Sequence, residues 1–135
     1  MGSGQMVEGT SVTQQTKVRS YRDLRVWQAG MDLAEACYVL TKRFPKVELF
    51  GMTAQIRRAA TSVPANIAEG YGRNSRGEYG QFLRISQGSL KELETHLMLS
   101  SRVGLLVPAE TKNVLEECDR LGRMLHRLIR SLQGG

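Results

Sequence analysis

The chain has 135 residues, 41% of them hydrophobic and 24% charged, which suits one domain able to bury roughly two thirds of the surface its unfolded form exposes. Its two cysteines, Cys37 and Cys118, stand far apart among apolar residues, so the expectation is buried free thiols in a reducing cytoplasm rather than a CxxC redox pair or a zinc cage. No apolar run reaches membrane-spanning length and no secretory h-region opens the sequence, while a net charge of +6 and a pI near 9.7 bring anionic partners such as nucleic acid into view.

Residues 1–20, rich in Gly, Ser, Thr and Gln without apolar periodicity, read as a flexible lead, and 21–133 as the folded domain. From Tyr21 onward Leu24, Trp27, Met31, Ala34, Tyr38 and Thr41 recur at steps of three and four, one face of an amphipathic helix that Phe44-Pro45 brings to an end. A second helix is predicted from between Val47 and Phe50 to about Glu69, with Gly70, Gly72 and Asn74 supplying the freedom of a turn. Ser75 and Glu78 have capping-box spacing, so a third helix starts there. Its inner face is read as Phe82, Ile85, Ser86, Ser89, Leu90, Leu93, Leu97 and Ser100, up to Gly104. Pro108 suits the first turn of a fourth helix, whose core positions are Val114, Leu115, Cys118, Leu121, Leu125, Leu128 and Leu132. Four long helices, short connections and no strand signal define an all-α, antiparallel up-down four-helix bundle.

The second helix carries more than a core stripe. Met52, Ile56, Ala59, Ala60, Val63 and Ile67 face the core, but Gln55, Arg58, Ser62, Asn66 and Glu69 form a polar stripe of their own. Ala54, Thr61, Ala65 and Ala68 lie between the two, small enough to let another backbone approach. Pro64 interrupts the hydrogen-bond ladder at the Ala60 carbonyl, a cost of about 3 kcal/mol unless Ser62 or Asn66 compensates. Gln55, Arg58, Ser62, Pro64, Asn66 and Glu69 are therefore candidates for an oligomer interface, with a tolerated kink on a solvated face as the alternative for Pro64. Arg58 is expected to pair with an acid, Glu69 or a neighbouring subunit's Glu48.

Chemistry has little to stand on. The GYGRNSRG segment at 70–77 has Ser75 where a third glycine would complete GxGxxG, and no strand precedes it. Leu93 precedes His96 and Arg123 precedes His126 by three residues, so neither makes the Glu-x-x-His pair of a di-iron bundle. No Ser/His/acid set is readable, and a non-enzymatic protein without cofactor or metal is expected. On the fourth helix Arg120, Arg123, Arg127 and Arg130 share an arc of about 80° opposite the leucines, a cationic stripe suited to phosphate. Arg73, Arg76 and Arg84 form a second candidate patch. The pairs Glu116–Arg120 and Asp119–Arg123 would equally make a solvated face, leaving Arg127 and Arg130 the less explained. RNA or DNA is thus the leading partner, and a protein docking on an assembled scaffold the rival.

Several strings, taken together, resemble a known family. They are RVW at 25–27, FP at 44–45, ELFGMTAQIRRAATSVPANIAEGYGR at 48–73, EYGQFLRISQGSLKELETHL at 78–97, and the GLL that precedes the last helix. They resemble the 23S rRNA intervening-sequence proteins, also called the four-helix bundle protein family, with Met52 and Tyr79 where Leu and Phe are usual. The resemblance implies a bundle that assembles into a ring, typically a homopentamer. It also implies kinship with the accessory protein of diversity-generating retroelements, a basic pentameric bundle that works with a reverse transcriptase and nucleic acid. Some members are encoded in insertions within bacterial large-subunit rRNA genes, and no enzymatic activity is established for the family.

Overall fold

The computed structural model describes residues 17–134; most of the lead expected over 1–20 lies outside these described residues. Four helices follow one another, α1 (Arg25–Thr41), α2 (Met52–Tyr71), α3 (Arg76–Arg102) and α4 (Pro108–Gly134), with no strand among the described residues. Helix α1 packs beside α2 and α4, and α3 beside α2 and α4, so the four stand at the corners of a square. Contacts across each seam step in opposite directions. Ser89 meets Ser62 and Phe82 meets Gly70 across α2–α3, while Leu90 meets Gly122 and Arg76 meets Ser131 across α3–α4. Consecutive helices are therefore antiparallel.

The core runs along the axis as Leu33, Cys37, Ile56, Val63, Ile67, Leu83, Leu90, Leu93, Leu97, Cys118, Leu121 and Leu125, each essentially inaccessible to water. The inward face of α1 is rotated from the one the sequence suggests. Val26, Gly30, Leu33 and Cys37 point in, whereas Met31 and Tyr38 remain 45% and 40% exposed. On α3, Leu83 is buried and Ile85 is not, and on α4 Ile129 takes a core place that Leu128 only borders.

The turns use local chemistry in ways the sequence discloses only partly. A full capping box forms at Ser20 and Asp23, around a 3₁₀ turn at Tyr21–Asp23 that precedes α1. At α3 only half of one forms: the Ser75 hydroxyl accepts from the Glu78 amide at 3.1 Å. Helix α3 ends in a Schellman turn. Gly104 adopts φ +85°, its amide donates to the Ser101 carbonyl at 3.2 Å, and the Leu105 amide reaches back to Ser100 at 2.8 Å.

Gly70 and Gly72 work differently from the expected turn residues: neither has a positive φ, and Gly70 is buried inside α2. A Cβ on Gly70 would stand 2.7 Å from the Phe82 Cβ. Its role is close approach of α3, not backbone freedom.

The same reasoning accounts for Pro64. It sits inside an unbroken α2 and is buried, with its ring against Gly30 of α1, where an added Cβ would come within 3.3 Å. The Asn66 amide donates to the Ser62 carbonyl at 2.9 Å and to the Ser62 hydroxyl at 3.0 Å. The expected compensation at the Ala60 carbonyl is thus not what Asn66 provides. Pro64 is a packing residue within the subunit, which corrects its assignment to an outward assembly surface and excludes the solvated-kink alternative.

Candidate nucleic-acid interface

Helix α4 is a clean amphipath, with Val114, Cys118, Leu121, Leu125 and Ile129 inward and Arg120, Arg123, Arg127 and Arg130 exposed on the opposite side. The seam with α3 opens outward because each helix places a glycine there. Nothing lies within 4 Å of a Cβ built on Gly88, and one built on Gly122 would only touch the Leu90 side chain at 3.6 Å. The result is a groove of about 690 Å³ floored by Leu90, Gly88 and Gly122 and walled by Arg84, Lys91, Arg123, His126 and Arg127. That volume lies in the range of small-molecule sites, about 300–1,000 Å³.

The seven arginines singled out from the sequence do not act alike. Arg84 of α3 joins Arg123 and Arg127 of α4 on this one groove. Arg120 borders a neighbouring shallow recess with Lys112 and Glu116, and Arg130 is exposed further toward the end of α4. Arg73 is held by Glu69 at 2.8 Å and lies over the Phe82 ring, 4.8 Å from its centre. Arg76 donates to the Ser131 carbonyl at 3.4 Å, near the carbonyl-rich end of α4, where a cation complements the helix dipole. The second patch therefore divides, with Arg84 in the groove and the other two serving the turn.

Charge along the groove is uneven. Arg123 pairs with Asp119, as the spacing suggests, and Lys91 pairs with Glu94 at 3.3 Å. Arg84 and Arg127 form no ion pair among the described residues. One end of the groove thus carries uncompensated guanidinium charge, and the other mixes donors with acceptors.

Gly88, Gly122 and Lys91 are groove residues to which the sequence alone assigns no role, and His126 enters there only as a rejected metal ligand. The two glycines carried a signal: a glycine inside a helix costs about 1 kcal/mol against alanine and has a packing or functional reason.

The candidate interface residues of α2 also separate. Gln55 and Arg58 are exposed and bonded to each other at 3.0 Å, so within the subunit Arg58 meets an amide and not the expected acid. Glu69 is exposed and engaged by Arg73. Ser62 and Asn66 turn instead toward α3, where the Ser62 and Ser89 hydroxyls lie 2.7 Å apart. Arg57 ties α1 to α2, donating to the Thr41 hydroxyl at 2.9 Å and lying 4.4 Å from the centre of the Tyr38 ring. Both cysteines are free and buried. Burial foremost pushes each thiol up to about 12, with the Glu117 carboxylate adding to it at Cys37, and the Cys37 thiol, Glu94 and Glu117 adding to it at Cys118, and such thiols are poor nucleophiles at neutral pH.

Among the described residues, fold and surface together define the class: an all-helical bundle with a closely packed, mainly apolar interior and an arginine-walled outer groove between α3 and α4. A family model described as 23S rRNA-intervening sequence protein matches residues 22–127. The chain belongs to that family. A solved structure of a protein of unknown function from the S23 ribosomal protein family of Bacteroides thetaiotaomicron is similar in fold. Its TM-score is 0.70 at 23% identity, over 77% of this chain and 97% of that one. No curated protein matches the chain, and among the described residues no helix is long and apolar enough to cross a membrane.

Proposed function

We propose that this protein is a non-catalytic, nucleic-acid-associated accessory protein that contacts phosphates through the α3–α4 face. The supporting observation is that Arg84, Arg123 and Arg127 come from two helices onto one groove, and two of them carry no compensating acid. Guanidinium groups bind phosphate oxygens in pairs without reading bases. In this reading the subunits close into a ring, five by likeness to the family, and repeat the cationic face around it. The outer side of α2, where Gln55, Arg58, Ala65 and Glu69 are exposed, is the contact surface together with α3. Sedimentation velocity checks the ring: Ala65→Trp should shift the oligomer to folded monomer.

The binding test is fluorescence anisotropy with labelled RNA and DNA at two salt concentrations. Binding should weaken steeply with salt, by close to one counterion per phosphate contact. Reversing Arg123, Arg127 and Arg130 together to Glu should abolish it with the oligomer intact. Unchanged binding in the triple variant would defeat the assignment.

A second reading, a scaffold for a protein partner, draws on the opposite feature. At the end of the bundle where the α1–α2 and α3–α4 turns lie, Val47 and Phe50 are 86% and 92% exposed, and apolar side chains so placed can mark a contact site. Co-purification of one specific polypeptide that survives nuclease and high salt would favour it.

A further inference from the structure

The α3–α4 groove has two unlike halves and a floor in which Leu90 is the one large side chain between two glycines. Arg84 and Arg127 line one half without an ion pair among the described residues, and at the other Lys91 and the Arg123–Asp119 pair present donors and an acceptor. Between them Gly88 and Gly122 leave a notch over Leu90. A cation-only surface for duplex phosphates would need none of this, because a duplex is a broad convex cylinder. Packed helix axes stand only about 8–10 Å apart, too close for a duplex to enter between them.

We propose that the groove takes one unpaired nucleotide of a single strand, its phosphate between Arg84 and Arg127 and its base laid against the glycine notch and Leu90. The inference rests on the phosphate-binding reading above and sharpens it. The guanidinium of Arg127 or Arg84, or the imidazole of His126 on the same wall, supplies the flat face on which a base stacks. The paired end offers hydrogen-bond partners to the base edge, and the 690 Å³ of the groove accommodates a ligand of that size. The preference would be for single strands over duplexes, with modest sequence discrimination.

The test separates shape from charge. Gly122→Leu and, on the facing helix, Gly88→Leu fill the notch without altering a single charge, and neither added Cβ meets anything closer than ordinary contact distance. Circular dichroism of both variants should match the wild-type helix content. Anisotropy with a short labelled single-stranded RNA and with a blunt duplex of the same sequence then reads binding. Wild type should prefer the single strand by about tenfold, the size of one lost base contact. Both variants should lose that preference and keep the duplex affinity. Filled variants that bind the single strand as wild type does would overturn the groove while leaving phosphate contact standing. A wild type that binds neither probe at low salt would overturn both.

Discussion

The two seams that α3 makes with its neighbours use glycine to opposite ends. Against α2, Gly70 lets Phe82 and Tyr79 come so near that a methyl group would overlap them. Against α4, Gly88 and Gly122 leave a groove that a methyl group would only begin to fill. What distinguishes a packing glycine from one that shapes a surface is the next atom along its missing Cβ direction. Residue type alone carries no such information. The contrast extends to polarity: the α2 seam is stitched by hydroxyls, Ser86 to the Val63 carbonyl at 2.9 Å and Ser62 to Ser89. Across the α4 seam the bond from Arg76 to the Ser131 carbonyl is exposed.

The contrast can be broken in several places. The largest effect should come from alkali, acting on the two buried thiols of α1 and α4, in the core that both seams border. Below the ordinary thiol value of 9.0, Cys37 and Cys118 hold their protons whether folded or not; above it the unfolded chain releases them while the folded one keeps them to about 12. The unfolded state then binds fewer protons, so the stability these two thiols contribute is present below pH 9 and is lost as pH rises toward 12. Urea midpoints measured across that range should fall, and the double variant Cys37→Ala, Cys118→Ala should flatten the decline. Tyr79, raised to about 12 mainly by burial, would leave a residual slope.

Next comes Gly70→Ala, which should cost about 2 kcal/mol in urea unfolding, since overpacking at a rigid contact typically costs 1–3. Ser86→Ala should cost about 1 kcal/mol, the worth of one buried hydrogen bond. The smallest effect has the opposite sign: Gly88→Ala should gain about 0.5–1 kcal/mol from helix propensity, because nothing stands in its way. A loss at Gly88 matching that at Gly70 would collapse the distinction between the seams.

Helix number, order and approximate limits were legible in the sequence, because apolar spacing and the Pro108, Gly104 and Ser75 signals are local. The core face of α4 was legible in Val114, Cys118, Leu121 and Leu125, while Leu115, Leu128 and Leu132 only border the core and Ile129 was missed. On α1 two apolar stripes lie side by side, and periodicity cannot rank Trp27, Met31 and Tyr38 against Val26, Leu33 and Cys37. The structure settles it by packing Gly30 against Pro64, which turns Val26, Leu33 and Cys37 into the core. Of the candidate site, the α4 arginines were readable as one face of a helix. The groove was not, because it exists only once α3 and α4 are set in register and Gly88 comes opposite Gly122. Arg84 could be assigned to the right patch only at that point.

The hydroxyls of the α2–α3 seam bear on how the chain rejects its own errors. A seam of leucines tolerates sliding by one helical turn, since one apolar contact replaces another at little loss. Ser86 is fully buried, and its one acceptor is the Val63 carbonyl. A slipped pairing would lose that bond between helices and the Ser62–Ser89 pair with it, leaving each hydroxyl only the carbonyls of its own helix as partners, at about 0.5–1.5 kcal/mol for each lost bond. Correct pairing gains little from these bonds, but every mispaired bundle is penalised by their loss. The serines thus act as a proofreading device for helix register, written into the most small-residue-rich part of the chain.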